Sequence, residues 1–202
     1  MRLILVRHGR PDEEDAVSPH DPPLNAEGRR QARSVADWLA AEGVTRIVAS
    51  PLRRARQTAE PLAERLGMPI DTIDGWAEAD RATMRYRSTE TLRAEGGEAW
   101  DRFLADPIGY LGAEPEEFRA GVIAALEATA PRADRGVRVV VFTHGLPINI
   151  TLSHALGLGR ITHFHPGYGS ITRLRRRDDG GFGVVSVNES GHHRAAPGVP
   201  HG

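Results

Sequence analysis

The stretch Leu3-Ile4-Leu5-Val6-Arg7-His8-Gly9 decides how the rest of the chain is read. Four apolar residues run without polar alternation and then meet a cation, an imidazole and a glycine. Short runs of this kind suit strands covered on both faces, as in a parallel sheet between helices. The pattern returns twice. Arg46-Ile47-Val48-Ala49 runs into Ser50-Pro51-Leu52-Arg53-Arg54-Ala55, and Val137 to Phe142 runs into Thr143-His144-Gly145. Open α/β sheets take ligands in the crevice beyond the carboxyl ends of their strands. Three such strands side by side would gather two histidines and at least two arginines there. Glycine after each histidine lets the backbone turn sharply and pass close to a ligand.

Apolar residues recur at helical spacing between these runs. Residues 26–42 carry Ala32, Val35, Ala36 and Leu39 on one face, with Asn25 as the N-cap. Residues 52–66 carry Ala55, Ala59, Leu62, Ala63 and Leu66, and Pro61 inside them predicts a kink or a fresh start. Further helices are expected over 115–130 and 147–157, and a strand over 69–73. Residues 168–175 and 182–188 read as two strands joined by the hairpin-like Arg177-Asp178-Asp179-Gly180-Gly181. Strand alternating with helix indicates an α/β domain with right-handed crossovers. Residues 79–114 are the least periodic and read as an irregular, partly helical insertion over the sheet. A single domain is expected over 1–190, followed by a disordered Gly/Pro/His-rich tail over 191–202.

Two absent residue types narrow the chemistry. The 202 residues include no cysteine, and all 26 of the Lys+Arg count are arginine. Lack of cysteine excludes a thiol nucleophile, disulfides and Cys-ligated metal. Lack of lysine excludes a Schiff base and the nucleotide phosphate loop whose lysine reaches the phosphates. A formal net charge of -1 argues against a nucleic-acid partner. No apolar run reaches the length of a membrane span, and the start is too short for a signal peptide. The reading is a soluble cytoplasmic protein without a membrane partner.

Arginine beside histidine suggests a phosphoryl group. The guanidinium offers planar, bidentate, permanently charged donors matched to phosphate oxygens. Neutral imidazole is available as a nucleophile near pH 7.

Several segments carry a family resemblance. Arg7-His8-Gly9 looks like the signature of the histidine phosphatase superfamily, the phosphoglycerate mutase-like proteins. Pro23 to Ala32 (Pro-Leu-Asn-Ala-Glu-Gly-Arg-Arg-Gln-Ala) resembles the family's segment of Pro-Leu, a small polar residue, Gly and Gln-Ala. Ser50 to Ala59 (Ser-Pro-Leu-Arg-Arg-Ala-Arg-Gln-Thr-Ala) resembles its second arginine motif, and Phe142-Thr143-His144-Gly145 its second histidine motif. Gly169-Ser170-Ile171-Thr172 is similar to the segment that follows. The likeness runs from about residue 2 to residue 188 and is thin between 79 and 114.

The resemblance implies a three-layer α/β/α sandwich with a mostly parallel central sheet. It implies His8 as the transiently phosphorylated nucleophile, with Arg7 clamping the phosphoryl oxygens. The family's second arginine follows Leu by two positions, which selects Arg54. Adjacent helical residues point about 100° apart, so Arg53 cannot share that task. His144 is expected to bind the phosphoryl group and to donate a hydrogen bond or positive charge during transfer. A glutamate near Trp76 serves the family as general acid. Glu78 is the candidate and Asp80 the runner-up.

The run Arg10-Pro11-Asp12-Glu13-Glu14-Asp15 departs from the mutases, which usually carry an acid and then a small hydroxyl residue here. The departure favours a phosphatase. The expected activity is therefore metal-independent hydrolysis of a small phosphorylated metabolite, with no cofactor. Phosphoglycerate mutase-type transfer and a silent phospholigand-binding module stand as alternatives, and a homodimer is the default assembly.

Other residues receive plainer readings. Arg10 is an open candidate for a substrate contact, and His20 for lining the pocket. Arg81, Arg85 and Arg87 hint at an anionic substrate. His163 and His165 would share a face on a strand, but lack partners for a metal site. His192, His193 and His201 are assigned to the tail. Arg173 to Arg177 reads as a solvated sheet edge.

Overall fold

A computed structural model describes residues 1–131 and 136–193. Six strands form one sheet: β1 (Arg2–Arg7), β2 (Arg46–Ala49), β3 (Ile70–Thr72), β4 (Arg138–Thr143), β5 (Ile171–Arg176) and β6 (Phe182–Glu189). Their spatial order is β3-β2-β4-β1-β5-β6. The first four are mutually parallel, while β5 runs antiparallel to β1 and β6 antiparallel to β5. Register pairs Arg7 with Thr143 and Ala49 with Phe142, so the three motif-bearing strand ends stand in a row.

The pleat explains why these strands are apolar on both faces. Ile4, Val6, Ile47, Val140 and Phe142 pack against α1 (Ala26–Leu39) and α2 (Arg53–Leu66) through Val35, Leu39, Ala59 and Leu62. Leu3, Leu5, Val48, Val139 and Val141 turn the other way. They meet Val122 and Leu126 of α6 (Pro115–Thr129) and Ile148 and Leu152 of α7 (Gly145–Leu156). Successive side chains alternate across a strand, so a covered sheet needs apolar residues at every position. The result is the expected three-layer α/β/α sandwich.

Asn25 caps α1 as read, its side chain accepting from Gly28 N at 2.9 Å. Pro61 does not break α2, which runs through from Arg53 to Leu66. Ala59, Leu62 and Ala63 bury on both sides of the proline and hold the axis, at the loss of one backbone bond to the Gln57 carbonyl.

Arg173 to Arg176 do not stand on a sheet edge, although Arg175 and its neighbour Arg177 are exposed. β5 lies between β1 and β6, and β6 forms the edge. Arg173 pairs with Glu42 at 2.6 Å and with Glu189 at 3.0 Å, and Arg176 lies over the Phe182 ring at 4.3 Å. Strand β6 covers β5, so Arg173 and Arg176 are met by carboxylates, whereas Arg175 and Arg177 stay exposed.

The insertion is mostly short helices: a 3₁₀ turn Ala79–Ala82, then α3 (Thr89–Glu95), α4 (Gly97–Ala105) and α5 (Pro107–Tyr110). Gly191–His193 form a 3₁₀ turn rather than free tail: His192 Nε2 donates to the Gly169 carbonyl at 2.9 Å. His201 and the rest of the tail lie outside the described residues. Among the described residues no helix is long and apolar enough to cross a membrane.

Candidate active site

His8 leaves the sheet held by its backbone. Its N–H donates to the Thr143 carbonyl at 2.9 Å, and Gly169 N donates back to the His8 carbonyl at 3.2 Å. The loop then turns into a tight crossing. A Cβ on Gly9 would lie 2.5 Å from the Gly28 carbonyl oxygen, closer than real contacts allow. The first turn of α1 can approach this closely because both crossing residues are glycine. Gly9 N donates to Thr58 Oγ1 at 2.9 Å, and Thr58 Oγ1 donates to the Arg54 carbonyl at 2.7 Å. One chain of bonds thus ties the signature loop to the helix that carries Arg54.

The His8 ring is buried, and Nδ1 donates to the Gly9 carbonyl at 2.8 Å. That bond assigns the proton to Nδ1 and leaves the Nε2 lone pair free. Burial, then the positive charges of Arg54 and Arg7, hold the His8 pKa well below the ordinary histidine value. The imidazole is neutral across the physiological range. The His144 ring centroid lies 5.0 Å away. Its Nε2 shares a 2.7 Å hydrogen bond with Ser50 Oγ, while Nδ1 is buried without a partner. Burial, then Arg54 and His8, lower the His144 pKa well below its usual value too. Of the two expected contributions of His144, a hydrogen bond or a positive charge, these surroundings favour the hydrogen bond.

Arg7 and Arg54 are both buried. Arg7 bonds the Glu90 carboxylate at 2.5 and 2.9 Å and the Pro166 carbonyl at 2.6 Å, and its guanidinium lies 4.2 Å from the Tyr168 ring centroid. Arg54 reaches both Asp80 oxygens through one nitrogen, at 3.0 and 2.8 Å, and lies 4.5 Å from the Tyr86 centroid. Arg7 Nε, Arg54 Nε and the Arg54 Nη1 nitrogen are buried with no hydrogen-bond partner. Unmet buried donors are costly, and an anion in the cleft would meet them. Arg53 is exposed, and only its backbone N–H is engaged, by Asp21 at 3.0 Å. The helical separation of the two arginines holds.

The carboxylates come from the opposite wall. Trp76 is fully buried, its Nε1 donating to Thr129 Oγ1 at 3.0 Å and its carbonyl accepting from Thr143 Oγ1 at 2.7 Å. This anchor delivers Glu78 to the cleft beside His8. Glu78 accepts from Ala79 N at 3.1 Å and Leu146 N at 3.2 Å. Burial, then the neighbouring Asp80 charge, raise its pKa to about 7. A carboxyl protonated near neutrality is what a general acid requires. Asp80 is instead occupied by Arg54.

The cleft is open to solvent and, counted with the solvent at its mouth, spans about 780 Å³. Beyond the charged end its walls include Leu92, Phe103, Leu104, Leu111, Ile161 and Phe164. Arg87 also lines it, paired with Glu95. Arg81 and Arg85 are exposed, as are Arg10 and His20. His163 and His165 lie in a loop rather than a strand. Among the described residues no group of three or more His, Asp or Glu side chains gathers as a metal site. Ser50, Tyr86, Glu90 and Tyr168 join the site without having been singled out as functional in the sequence.

The profile of the histidine phosphatase superfamily, branch 1, matches residues 3–190. The chain belongs to this superfamily. A probable phosphoglycerate mutase GpmB from Enterobacter sp. (strain 638) is 32% identical over 185 residues, covering 88% of this chain and 81% of that protein. The mycobacterial glucosyl-3-phosphoglycerate phosphatase, solved in complex with VO3, is 26% identical with a TM-score of 0.73, covering 94% of this chain and 99% of that one. Bacillus stearothermophilus YhfR shares the fold at a TM-score of 0.78 and 23% identity, covering 96% and 99%.

Proposed function

We propose that this histidine phosphatase hydrolyses the phosphomonoester of a small metabolite through a phosphohistidine on His8. The observation that carries the reading is the state of His8: its proton sits on Nδ1, its Nε2 is free, and it lies between two buried arginines with unmet donors. Nε2 attacks phosphorus as the ester P–O bond breaks. Glu78 gives its proton to the departing alkoxide. Arg7, Arg54 and a His144 N–H stabilise the charge on the equatorial oxygens. Water then attacks phosphorus, the Glu78 carboxylate takes the water's proton, and the P–N bond breaks to release phosphate and neutral His8. No step is routed through a metal ion.

The GpmB relative raises the transfer reading. A phosphoglycerate brings a carboxylate as well as a phosphate. The part of the cleft that would receive it has mostly apolar walls, with Asn149, Thr162 and His165 as polar exceptions, and its arginine, Arg87, is already paired with Glu95. This favours hydrolysis of an ester with a less polar leaving group. The test is release of inorganic phosphate from alkyl and aryl phosphates with chelator present. An acid-labile phosphoenzyme is expected in the wild type and absent in His8→Ala. Full activity in His8→Ala would overturn the covalent route, and phosphate retained on product would replace hydrolysis by transfer.

A further inference from the structure

Glu90 has no role in the steps above, yet it makes the closest side-chain contact to Arg7. It stands in the first turn of α3, 83 residues from Arg7, and takes the Nη1 and Nη2 nitrogens at 2.5 and 2.9 Å. The Pro166 carbonyl takes Nη1 as well, at 2.6 Å. A guanidinium has five N–H donors in one rigid plane. Glu90 and Pro166 occupy three of them: the pair at the far end and the remaining hydrogen of Nη1. Two are left, the Nε hydrogen and the second Nη2 hydrogen. These lie parallel on one edge of the plane, and Nε is buried without a partner. A parallel pair of N–H donors is the fork that a phosphoryl group accepts bidentately.

Glu90 is itself held in place. Ser88 caps α3 by accepting from Thr91 N at 3.0 Å, and the Glu13 carboxylate accepts from Ser88 N at 3.3 Å and from Thr91 Oγ1 at 3.1 Å. Burial raises the Glu90 carboxyl, but the hydrogen bond and charge of Arg7 outweigh it, so Glu90 stays ionised.

We infer that Glu90 is a positioning residue: it holds the far edge of the Arg7 guanidinium so that the Nε–Nη2 edge meets the transferring phosphoryl group. The inference rests on the proposed phosphohistidine chemistry. A carboxylate that merely plugged the site would compete with substrate. A positioning carboxylate costs some ground-state phosphate affinity through its charge and repays it as geometry in the transition state.

The two roles separate in kinetics. In Glu90→Ala, kcat is expected to fall about tenfold to a hundredfold, because a loosened donor loses alignment. Inhibition by inorganic phosphate should stay equal or become tighter, because a negative charge has left. Glu90→Gln keeps one acceptor for Arg7 and should fall between wild type and Glu90→Ala. It also provides a reading if the alanine variant folds poorly. Unchanged or raised kcat would overturn the inference, as would parallel loss of kcat and phosphate affinity in both variants. His8→Ala, assayed alongside, keeps the failures apart. Full turnover there sinks the phosphohistidine reading, whereas its loss there with normal turnover in both Glu90 variants sinks the positioning role alone.

Discussion

The strand ends and the segment that covers them hold charge in different ways. At the ends of β1 and β4 and the start of α2, Arg7, His8, His144 and Arg54 are placed by backbone: sheet register, the Gly9 crossing and the Thr58 relay. Residues 78–95 contribute Glu78, Asp80 and Glu90, and two of these are placed by ion pairs to distant arginines. One wall supplies cations and neutral imidazoles; the other supplies carboxylates. Buried arginines need counter-charges, and a site meant for an anion cannot take them from its own strands without filling the slot. Carboxylates reaching in from a separate segment pair with part of each guanidinium and leave other donors open.

Breaking the strand-end wall should have the largest effect. His8→Ala removes the nucleophile and is expected to lower kcat by at least about 10⁴-fold, the scale seen when a covalent nucleophile is deleted. Release of phosphate from an aryl ester measures it. A smaller loss would mean that the cations alone carry most of the catalysis.

The opposite wall comes next. Glu78→Gln should cost about 10² to 10³-fold on an alkyl phosphate and much less on an aryl phosphate, whose better leaving group needs little protonation. Wild-type kcat/KM on the alkyl ester should fall tenfold per pH unit above about 7, where Glu78 of the free enzyme loses its proton, and this limb should vanish in Glu78→Gln. Stability follows the same sign. The raised Glu78 pKa favours folding fully below the ordinary carboxyl value, and that contribution is lost as pH rises through about 7. Melting curves should therefore show Glu78→Gln gaining on wild type between pH 5 and pH 8. Equal losses on both esters would deny Glu78 the role of acid.

The same contrast explains what could be read from the sequence. Apolar runs ending in Arg7-His8 and Thr143-His144 announce strands and their ends locally, and one residue of helical rotation separates buried Arg54 from exposed Arg53. The case for Glu78 comes from family resemblance, since a loop has no period. Ser50 stood inside a quoted motif, but its bond to His144 spans 94 residues. Glu90 and Tyr86 left no local trace. Nothing around Thr89-Glu90-Thr91 states that an arginine 83 residues away will meet the carboxylate. The edge reading of Arg173 to Arg177 failed for a related reason: strand order across a sheet is a long-range property, and β6 covers β5.

Asp80→Asn tests whether the second wall is structural as well as chemical. Arg54 is fully buried and Asp80 is its nearest counter-charge, with Asp21 at 3.6 Å. Removing one partner of a buried pair costs about 3–5 kcal/mol. The Asn oxygen still accepts and Asp21 remains, so the lower end is expected, roughly 6–12 °C in Tm for a domain of this size. A shift under about 2 °C would mean that Asp21 or water already compensates Arg54.

The smallest expected effect joins the two walls. Glu13 leaves the loop after β1 and accepts from Ser88 and Thr91 at the start of α3. Ser88 still caps the helix without it, so Glu13→Ala should cost only about 1 kcal/mol. Its value lies in coupling. If Glu13 steadies α3 so that Glu90 can hold Arg7, losing Glu90 first removes the purpose of that support. Glu13→Ala should then lower kcat a few-fold in the wild-type background and have almost no effect on top of Glu90→Ala. Strict additivity in that cycle would show the loop and the insertion acting independently, and the carboxylate wall would be three separate contacts rather than one supported surface.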